Sequence, residues 1–216
     1  MATITTEQVK DLRDKTGISV MQCRKALEEA GGDTEKALII LRKKSGELSA
    51  KKADRTFGAG VVGAYVHATG SVGSMVTLMC ETDFVANNEE FKVLVRDIAM
   101  HVTATNPKYG TRDAITEAER NAAKEVFENE MKKAEEEDME KAKAAGKVFK
   151  AKPAEIKASI LEGKLNAYFA EQVLVDQPFI KNPDVTIAAL IDNAMQKFGE
   201  KIAITQFSRM AVGQGN

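Results

Sequence analysis

A block of strand-forming residues at 60–82 constrains the fold of this chain more than any other feature, because it lies among segments with helical periodicity. The turn-forming residues Ala68–Ser71 divide the block into two runs. The strand-forming side chains of the two runs are Val61, Val62, Tyr65, Val66, Val72, Met75, Val76, Leu78 and Met79. Two such runs separated by a turn predict a β-hairpin. A hairpin surrounded by helices predicts an α+β fold with an antiparallel-sheet core and flanking helices.

Residues 1–45, ahead of the hairpin, carry start signals for three short helices. Thr5 with Gln8 has the spacing of a capping box. Ser19 with Gln22 repeats that spacing, and Asp33 can cap the third helix. Three helices within about 40 residues can bury only a thin core. We therefore expect a small N-terminal three-helix (UBA-like) bundle, of the kind that serves for docking.

The rest of the chain divides into a linker and a core. Residues 46–58 are polar and basic, and we interpret them as a linker, although a solvated helix has the same composition. Residues 59–216 form the expected α+β core. Within it, the helix-prone residues from about 116 to 170 predict two helices joined by a short link, which form a projecting helical hairpin.

Four further elements are expected in the core. A helix at 88–104 has one apolar face, formed by Phe91, Leu94, Val95, Ile98 and Val102. The residues Val173–Val175 predict a short strand, and a helix is expected near 186–198. The alternating residues Lys201–Phe207 predict the last strand.

Composition excludes several classes of function. Hydrophobic residues make up 44% of the 216 positions, which is enough for a buried core. The 31 Lys and Arg residues nearly balance the 32 Asp and Glu residues, so the net charge of −1 gives no general attraction to nucleic acid. No run approaches the roughly 18 apolar residues of a membrane span. Residues 1–7 lack the basic and apolar regions of a secretion signal, and we expect a cytoplasmic protein.

The residues that enzymes need are sparse. His67 and His101 are the two histidines, and neither belongs to an HExxH motif. The sequence also lacks the GxxxxGK[ST] phosphate-binding loop. Cys23 and Cys80 are too few for a disulfide framework or a four-ligand zinc site, and we expect two reduced, half-buried thiols. We therefore predict no catalytic residues, no metal site and no bound cofactor.

One motif imitates a cofactor site. Gly58–Gly63 matches the GxGxxG pattern of dinucleotide-binding folds, and Glu81 follows about 20 residues later, where a ribose-binding acid would lie. Such a site needs the motif after a strand and at the start of a helix. Here the motif precedes a predicted strand, so an NAD-dependent enzyme is the weaker alternative.

The segment 80–87 joins the second predicted strand to the next helix, and Thr82, Asp83, Phe84 and Val85 lie at its centre. The pattern leaves two alternatives open for Phe84, which can fill the local core or can be an exposed anchor for a partner. Asp83 can equally serve in a turn or as a cap.

Two motifs make the chain resemble the elongation factor Ts family. The first is Leu12–Gly17 followed by Met21–Leu27, and the second is Cys80–Asn87. Further similarity runs through Ile98–Val102 and Gln177–Ile180, so the resemblance covers nearly the whole chain in the family's order. The chain looks like the short members that have a single core. Its departures from the family pattern are at Gln22, Arg24, Thr77 and Met79.

The resemblance implies a nucleotide exchange factor without catalytic residues of its own. Members of the family bind the GTPase elongation factor Tu in its GDP form and promote GDP release by disturbing the Mg²⁺ and phosphate site, after which GTP rebinds. The resemblance assigns this release to Thr82–Val85, with Asp83 and Phe84 beside the partner's phosphate region. His101 would pack on the partner as well, unless it is an ordinary helix histidine. The remaining implied docking contacts are Arg13, Met21, Arg24 and Lys52.

The resemblance leaves the number of subunits open, and a homodimer in the complex is compatible with it. It implies no direct contact with nucleic acid or with a membrane. The residues alone also allow a non-catalytic adaptor or chaperone-like protein that uses the N-terminal bundle, for which residues 80–87 would be dispensable. A structural coiled-coil protein is the weakest alternative, because residues 116–170 lack sustained heptads.

Overall fold

The chain folds into two compact units, as seen in a computed structural model that describes residues 4–146, 148–149 and 151–213. The first unit contains the chain up to Asn106 and again from Pro178 onward, and the second contains Pro107–Gln177. The second unit is therefore inserted between two parts of the first. Within the described ranges, no helix combines the length and the apolar content that crossing a bilayer requires.

Three helices form the N-terminal bundle, and these are α1 (Thr6–Thr16), α2 (Val20–Glu29) and α3 (Thr34–Lys51). The predicted capping box at Thr5 and the predicted cap at Ser19 are confirmed. Asp33 caps α3, because its carboxylate accepts the amides of Glu35 and Lys36. The bundle core is small, and its buried members are Val9, Leu12, Ile18, Cys23, Ala26, Leu27, Ala37 and Leu41.

After the bundle the elements are, in chain order, β1 (Ala59–Val66), β2 (Val72–Cys80), α4 (Asp83–Ala86), α5 (Glu89–Thr105), α6 (Glu117–Ala144), α7 (Ala154–Gln172), β3 (Pro178–Phe179), β4 (Asn182–Thr186), α8 (Ile187–Phe198) and β5 (Ala203–Ala211). Short 3₁₀ turns occur at Arg112–Ala114 and Leu174–Asp176. The described chain thus has the expected α+β composition.

The third helix is longer than the sequence indicated. It continues to Lys51, so the first part of the stretch 46–58, expected to be a linker, is helical. Ser45 on this helix is buried and donates a hydrogen bond to Gln196 at 3.0 Å. Tertiary contacts of this kind extend helices beyond the length that local sequence favours. They also place the bundle and the sheet core in one compact unit.

The predicted hairpin is confirmed, since β1 and β2 pair in antiparallel fashion, and β5 completes a sheet of order β1-β2-β5. Helix α5 covers one face of this sheet. Ser74 donates to the Ala99 carbonyl at 2.6 Å, and a Cβ added at Gly63 would lie 2.5 Å from Val95 Cγ1. The sheet and the helix therefore pack in close contact along α5.

The opposite face of the sheet points away from α5, and we call it the open sheet face. Its members alternate along the three strands and carry no charged side chain; they are Gly60, Val62, Ala64, Val66, Gly73, Met75, Thr77, Met79, Gln206, Ser208 and Met210. Four of the large apolar side chains on this face, Val62, Val66, Met75 and Met210, are between 46% and 66% exposed, and Met79 is partly buried.

The GxGxxG motif has a packing explanation. Strand β1 begins inside the motif, and no helix follows Gly63. A Cβ at Gly58 would lie 2.6 Å from the Glu81 carbonyl oxygen, and one at Gly60 would lie 2.8 Å from that of Leu78. The glycines let backbones approach closely, and the strand–motif–helix order of a dinucleotide site is not what the chain forms.

The second unit contains the predicted helical hairpin, formed by α6 and α7. Its small core consists of Tyr109, Ile115, Phe169 and Val173. The strand predicted at Val173–Val175 is wrong. Val173 makes one isolated bridge with Tyr109, and the chain then turns at Leu174–Asp176. The residues have strand propensity, but only Val173 forms a bridge, while the amides of Leu174 and Val175 donate to the carbonyls of Tyr109 and Gly110 from within the turn.

Candidate functional site

The segment between β2 and α5 is folded, with α4 as a single helical turn at its centre. Thr82 is the N-cap of this turn, and its hydroxyl accepts a hydrogen bond from the Val85 amide at 3.5 Å. Val85 and Ala86 are buried and hold the turn against the core. We call Thr82–Val85 the TDFV loop.

Three residues of the TDFV loop are exposed, and the side chains of two of them, Asp83 and Phe84, extend into solvent. Phe84 is 82% exposed, so the structure has the exposed alternative and not the core one. Asp83 is exposed, and among the residues that the structure describes its carboxylate has no hydrogen-bond or ion-pair partner, although its backbone carbonyl accepts the Asn87 amide proton at 2.9 Å. An apolar ring held in water gains free energy when another surface covers it. The loop therefore presents one ring and one carboxylate to a partner.

The carboxylate of Glu200 fixes the start of the TDFV loop. One of its oxygens accepts the amide protons of Glu81 and Thr82, each at 3.0 Å. The other accepts the Thr82 hydroxyl proton at 2.5 Å. Hydrogen bonds to an ionised acceptor are about twice as strong as neutral ones. Glu200 follows Gly199, the left-handed C-cap of α8, so the end of that helix anchors the loop.

Glu81 makes the reciprocal contact, because its carboxylate binds the backbone next to Glu200. Its carboxylate accepts the Lys201 amide proton at 2.5 Å and pairs with Arg55 at 3.2 Å. The hydrogen bond from the Lys201 amide is the main reason why the pKa of Glu81 is lowered, and Arg55 adds to the effect. Glu81 and Glu200 thus each bind the backbone next to the other, and we call this pair the glutamate clasp.

The residues after α3 are tied to the same place. The Lys201 ammonium donates to the carbonyls of Ala53 at 2.5 Å and Arg55 at 2.9 Å. It also lies 4.7 Å from the centre of the Phe57 ring. The segment that leaves the bundle is therefore attached to the glutamate clasp.

Lys52 has an internal role. Its side chain is 4% exposed, its ammonium donates to the Gly199 carbonyl, and burial lowers its pKa. The docking contact that the resemblance implied for Lys52 requires an exposed side chain, and the structure does not provide one. Lys52 instead connects the end of the bundle to the turn that carries Glu200.

His101 is completely buried on α5. Its Nδ1 accepts the Ile180 amide proton at 3.4 Å, and its ring lies against Phe179 with centres 6.1 Å apart. The ordinary helix histidine is therefore the correct alternative, and the direct partner contact is not available to this side chain. His101 supports the hairpin of β3 and β4 from inside.

The other implied docking residues are exposed at one end of the bundle. Arg13 lies in the last turn of α1 and Met21 in the first turn of α2, on either side of the short α1–α2 connection. Met21 is 80% exposed, and Arg24 lies one turn later on the same face, paired with Glu28 at 3.1 Å. We call Arg13, Met21 and Arg24 the bundle tip.

Both cysteines are free, as expected, and they are fully rather than half buried. Burial raises the pKa of both thiols. The Cys80 thiol donates to the Thr82 carbonyl at 3.2 Å, so it also supports the TDFV loop. In the described part of the chain, no three His, Cys, Asp or Glu side chains are grouped to hold a metal ion.

Glu200 and Lys201 are the important residues that sequence reasoning missed. Glu200 lies 118 residues from Thr82 in sequence, and no local pattern relates the two positions. The only nearby signal is Gly199, which marks the end of a helix and says nothing about what the following side chain binds.

Comparison of the sequence with those of known proteins finds related proteins over nearly the whole chain. A family model described as elongation factor TS matches residues 4–214. An elongation factor Ts of Carboxydothermus hydrogenoformans is 43% identical over 98% of this chain and 90% of the relative. Those of Thermodesulfovibrio yellowstonii and Acetivibrio thermocellus are 42% and 41% identical over 98% of this chain, and the matches cover 97% and 91% of these relatives.

Proposed function

This chain belongs to the elongation factor Ts family, and from this premise we propose that it binds elongation factor Tu in its GDP form and promotes GDP release by disturbing the Mg²⁺ and phosphate site. GTP then binds the emptied site. The factor makes and breaks no covalent bond, because the event that it accelerates is a dissociation. We place this activity in the cytoplasm, where a translation factor works.

The observation that carries the proposal is the exposed ring of Phe84 on an anchored helical turn. Burial of this ring between helices of the partner contributes about 2 kcal/mol to the complex. Because Thr82 and the buried Val85 fix the turn, little conformational entropy is lost when the ring inserts. Phe84 therefore acts as a wedge.

Asp83 supplies the second half of the disturbance. A GTPase holds GDP through its phosphate-binding loop and a Mg²⁺ ion, whose positive charge balances the phosphates. A carboxylate brought close to this site competes for the ion's ligands and repels the phosphates. The exposed, unpaired carboxylate of Asp83 is suited to this role.

The bundle tip provides the docking contact. Met21 offers an exposed apolar side chain, and Arg13 and Arg24 offer charge, so the surface combines the residue types enriched in protein interfaces. Lys52 and His101 contribute from inside the fold, as an anchor of the clasp segment and as a support for β3.

Binding of factor and nucleotide must be antagonistic. If the factor weakens GDP binding, GDP weakens binding of the factor by the same ratio. GTP binds the same site, so the same reciprocity makes GTP binding displace the factor and return it to the free pool. The proposed mechanism needs no other source of turnover.

We further assign the open sheet face to a second copy of the chain in the complex. Large apolar side chains that stay exposed together usually mark an interface. This face has no charged side chain among its described members, so two copies can meet there across a two-fold axis without burying an unpaired charge.

The test is release of fluorescent GDP from elongation factor Tu, followed by stopped flow with wild type and with Phe84→Ala. Wild type should accelerate release strongly, and Phe84→Ala should lose about 30-fold in rate, which corresponds to about 2 kcal/mol. Val148→Ala is the control, because Val148 is 88% exposed but lies between α6 and α7, outside the TDFV loop and the open sheet face. It should release GDP at the wild-type rate.

Two outcomes would change the proposal. Fast release that Phe84→Ala leaves unchanged would keep the function and move the energy to Asp83 or the bundle tip. No acceleration by a folded wild-type protein would refute the exchange function and favour the adaptor that uses the N-terminal bundle.

A further inference from the structure

The side chains of Asp83 and Phe84 extend into solvent and do not hold the TDFV loop in place. Asp83 and Phe84 contribute only backbone to the helical turn, and Val85 holds only its far end. The near end is held by Thr82 and by the amide of Glu81. Both of these are bound by one group, the carboxylate of Glu200, through three hydrogen bonds.

The position of this carboxylate decides the direction of the turn. The N-cap residue sets the angle at which a chain enters a helix, and here the N-cap is the residue immediately before Asp83. A Glu200 side chain that is not bound would leave Thr82 free to rotate away from its capping geometry. The ring of Phe84, two residues later, would then sample many directions.

We propose that Glu200 is a positioning residue for GDP release, which acts through the TDFV loop and touches neither nucleotide nor partner. This inference rests on the proposed function. It predicts a specific defect, in which the factor still docks through the bundle tip but its wedge is no longer held in the direction that the insertion requires.

The clasp also gives Glu200 a connection to the docking module. Lys52 holds the carbonyl of Gly199, and Lys201 holds the carbonyls of Ala53 and Arg55, so the segment leaving α3 is bonded to residues on both sides of Glu200. A short series of covalent and hydrogen bonds within one compact unit therefore connects the docking bundle with the TDFV loop.

Glu200→Gln is the sharpest variant. Glutamine keeps the shape, but its single oxygen cannot replace two oxygens that together accept three protons. GDP release is measured as a function of factor concentration. The saturating rate should fall about tenfold, as expected for loss of charge-assisted hydrogen bonds, and the half-saturating concentration should change less than about threefold. Glu136→Gln, the same change at an exposed position on α6, should alter neither quantity.

A double-mutant cycle distinguishes positioning from general destabilisation. If Glu200 acts through the two exposed side chains of the TDFV loop, adding Glu200→Gln to the variant Asp83→Ala/Phe84→Ala should slow GDP release no further. The proposal would be overturned if the reductions in GDP-release rate caused by the separate substitutions multiplied. It would also be overturned if Glu200→Gln raised only the half-saturating concentration and left the saturating rate unchanged. Wild-type kinetics in Glu200→Gln would overturn it too.

Amide hydrogen exchange of the isolated protein provides a readout without the GTPase. In Glu200→Gln the amides of Glu81 and Thr82 should exchange at least tenfold faster, whereas amides in the middle of β2 should keep their wild-type rates. Unchanged exchange at Glu81 and Thr82 would refute the role of Glu200 even if the factor is active. A wild type that does not accelerate GDP release would instead refute the proposed function, with the exchange result still reporting on the clasp.

Discussion

Glu119 combines several interactions at the start of α6. Its carboxylate accepts the amide and hydroxyl protons of Thr116 at 3.0 Å and 2.8 Å, which completes a capping box, and it pairs with Lys108 at 2.9 Å. The pKa of Glu119 is lowered to about 2, first by the hydrogen bond from the Tyr109 hydroxyl and then by Lys108. The interactions of the folded second unit therefore stabilise the ionised form of the Glu119 carboxyl group.

A pH dependence follows from the sign of this shift. The pKa of Glu119 is about 4.5 in the unfolded chain, so its contribution to stability is complete above about pH 4.5 and is lost as the pH falls toward 2. Urea unfolding of wild type and Glu119→Gln, followed by circular dichroism from pH 6 to 2.5, should show a wild-type advantage that shrinks across this interval. A difference independent of pH would contradict the assignment.

Single residues of the site differ in how far the sequence could determine them. Burial of His101 was predictable, because it lies three residues after the apolar Ile98 on the buried face of α5, and the family resemblance pointed away from that answer. The exposure of Phe84 was not, since a phenylalanine next to a buried valine fits either alternative. Glu200 could not be found at all, because its partners are distant in sequence.

At the scale of elements, the contact between β1 and α5 depends on a missing side chain. Gly63 faces Val95, which is fully buried, and an added Cβ would lie 2.5 Å from Val95 Cγ1 and 3.2 Å from its backbone carbonyl carbon. Gly63→Ala should therefore destabilise the fold by about 1–3 kcal/mol through overpacking. Gly46→Ala is the control, because Gly46 is exposed on α3 with nothing within 4 Å of an added Cβ.

The two alanine variants should differ in sign. In Gly46→Ala the gain in helix propensity should stabilise the protein by about 0.5–1 kcal/mol. Denaturant unfolding of both variants against wild type measures the difference. Equal stability of Gly63→Ala and wild type would show that α5 can move away from the sheet without cost.

Elements with local signals were predicted well. The N-terminal ends of α1 and α6 were predicted from capping boxes, and the β1–β2 hairpin was predicted from two strand-forming runs around a turn. Elements that depend on distant partners were not. The β3–β4 hairpin contains Asn182 and Pro183, which weaken any strand pattern, and its pairing depends on support by His101 from another part of the chain. Strand β5 runs over Ala203–Ala211 and not over the predicted Lys201–Phe207, and the amide of Lys201 is bound by the Glu81 carboxylate instead of a neighbouring strand.

At the scale of the whole molecule, the open sheet face predicts the number of subunits in solution. Wild type should have twice the 23.5 kDa chain mass by sedimentation equilibrium at micromolar concentration. Val62→Glu should reduce the mass to that of one chain, because a buried unpaired carboxylate is costly. The control is Val93→Glu, since Val93 on α5 is 56% exposed and Val62 is 58% exposed. A mass that corresponds to one copy of the chain, both for the free wild type and for its complex with elongation factor Tu, would remove the second copy from the proposal.

The two ends of the second unit, near residues 108–109 and 172–174, lie close together, and this arrangement affects how the protein can evolve. The Gln172 carbonyl accepts the amide protons of Lys108 and Tyr109, and the Tyr109 carbonyl accepts that of Leu174, so both ends of the insertion lie side by side. Closing a longer or shorter loop between adjacent ends changes the entropy only logarithmically. The inserted unit can therefore be lengthened, shortened or exchanged, in evolution or by design. We expect such changes to alter the free energy of folding of the sheet core, which carries the TDFV loop, only slightly.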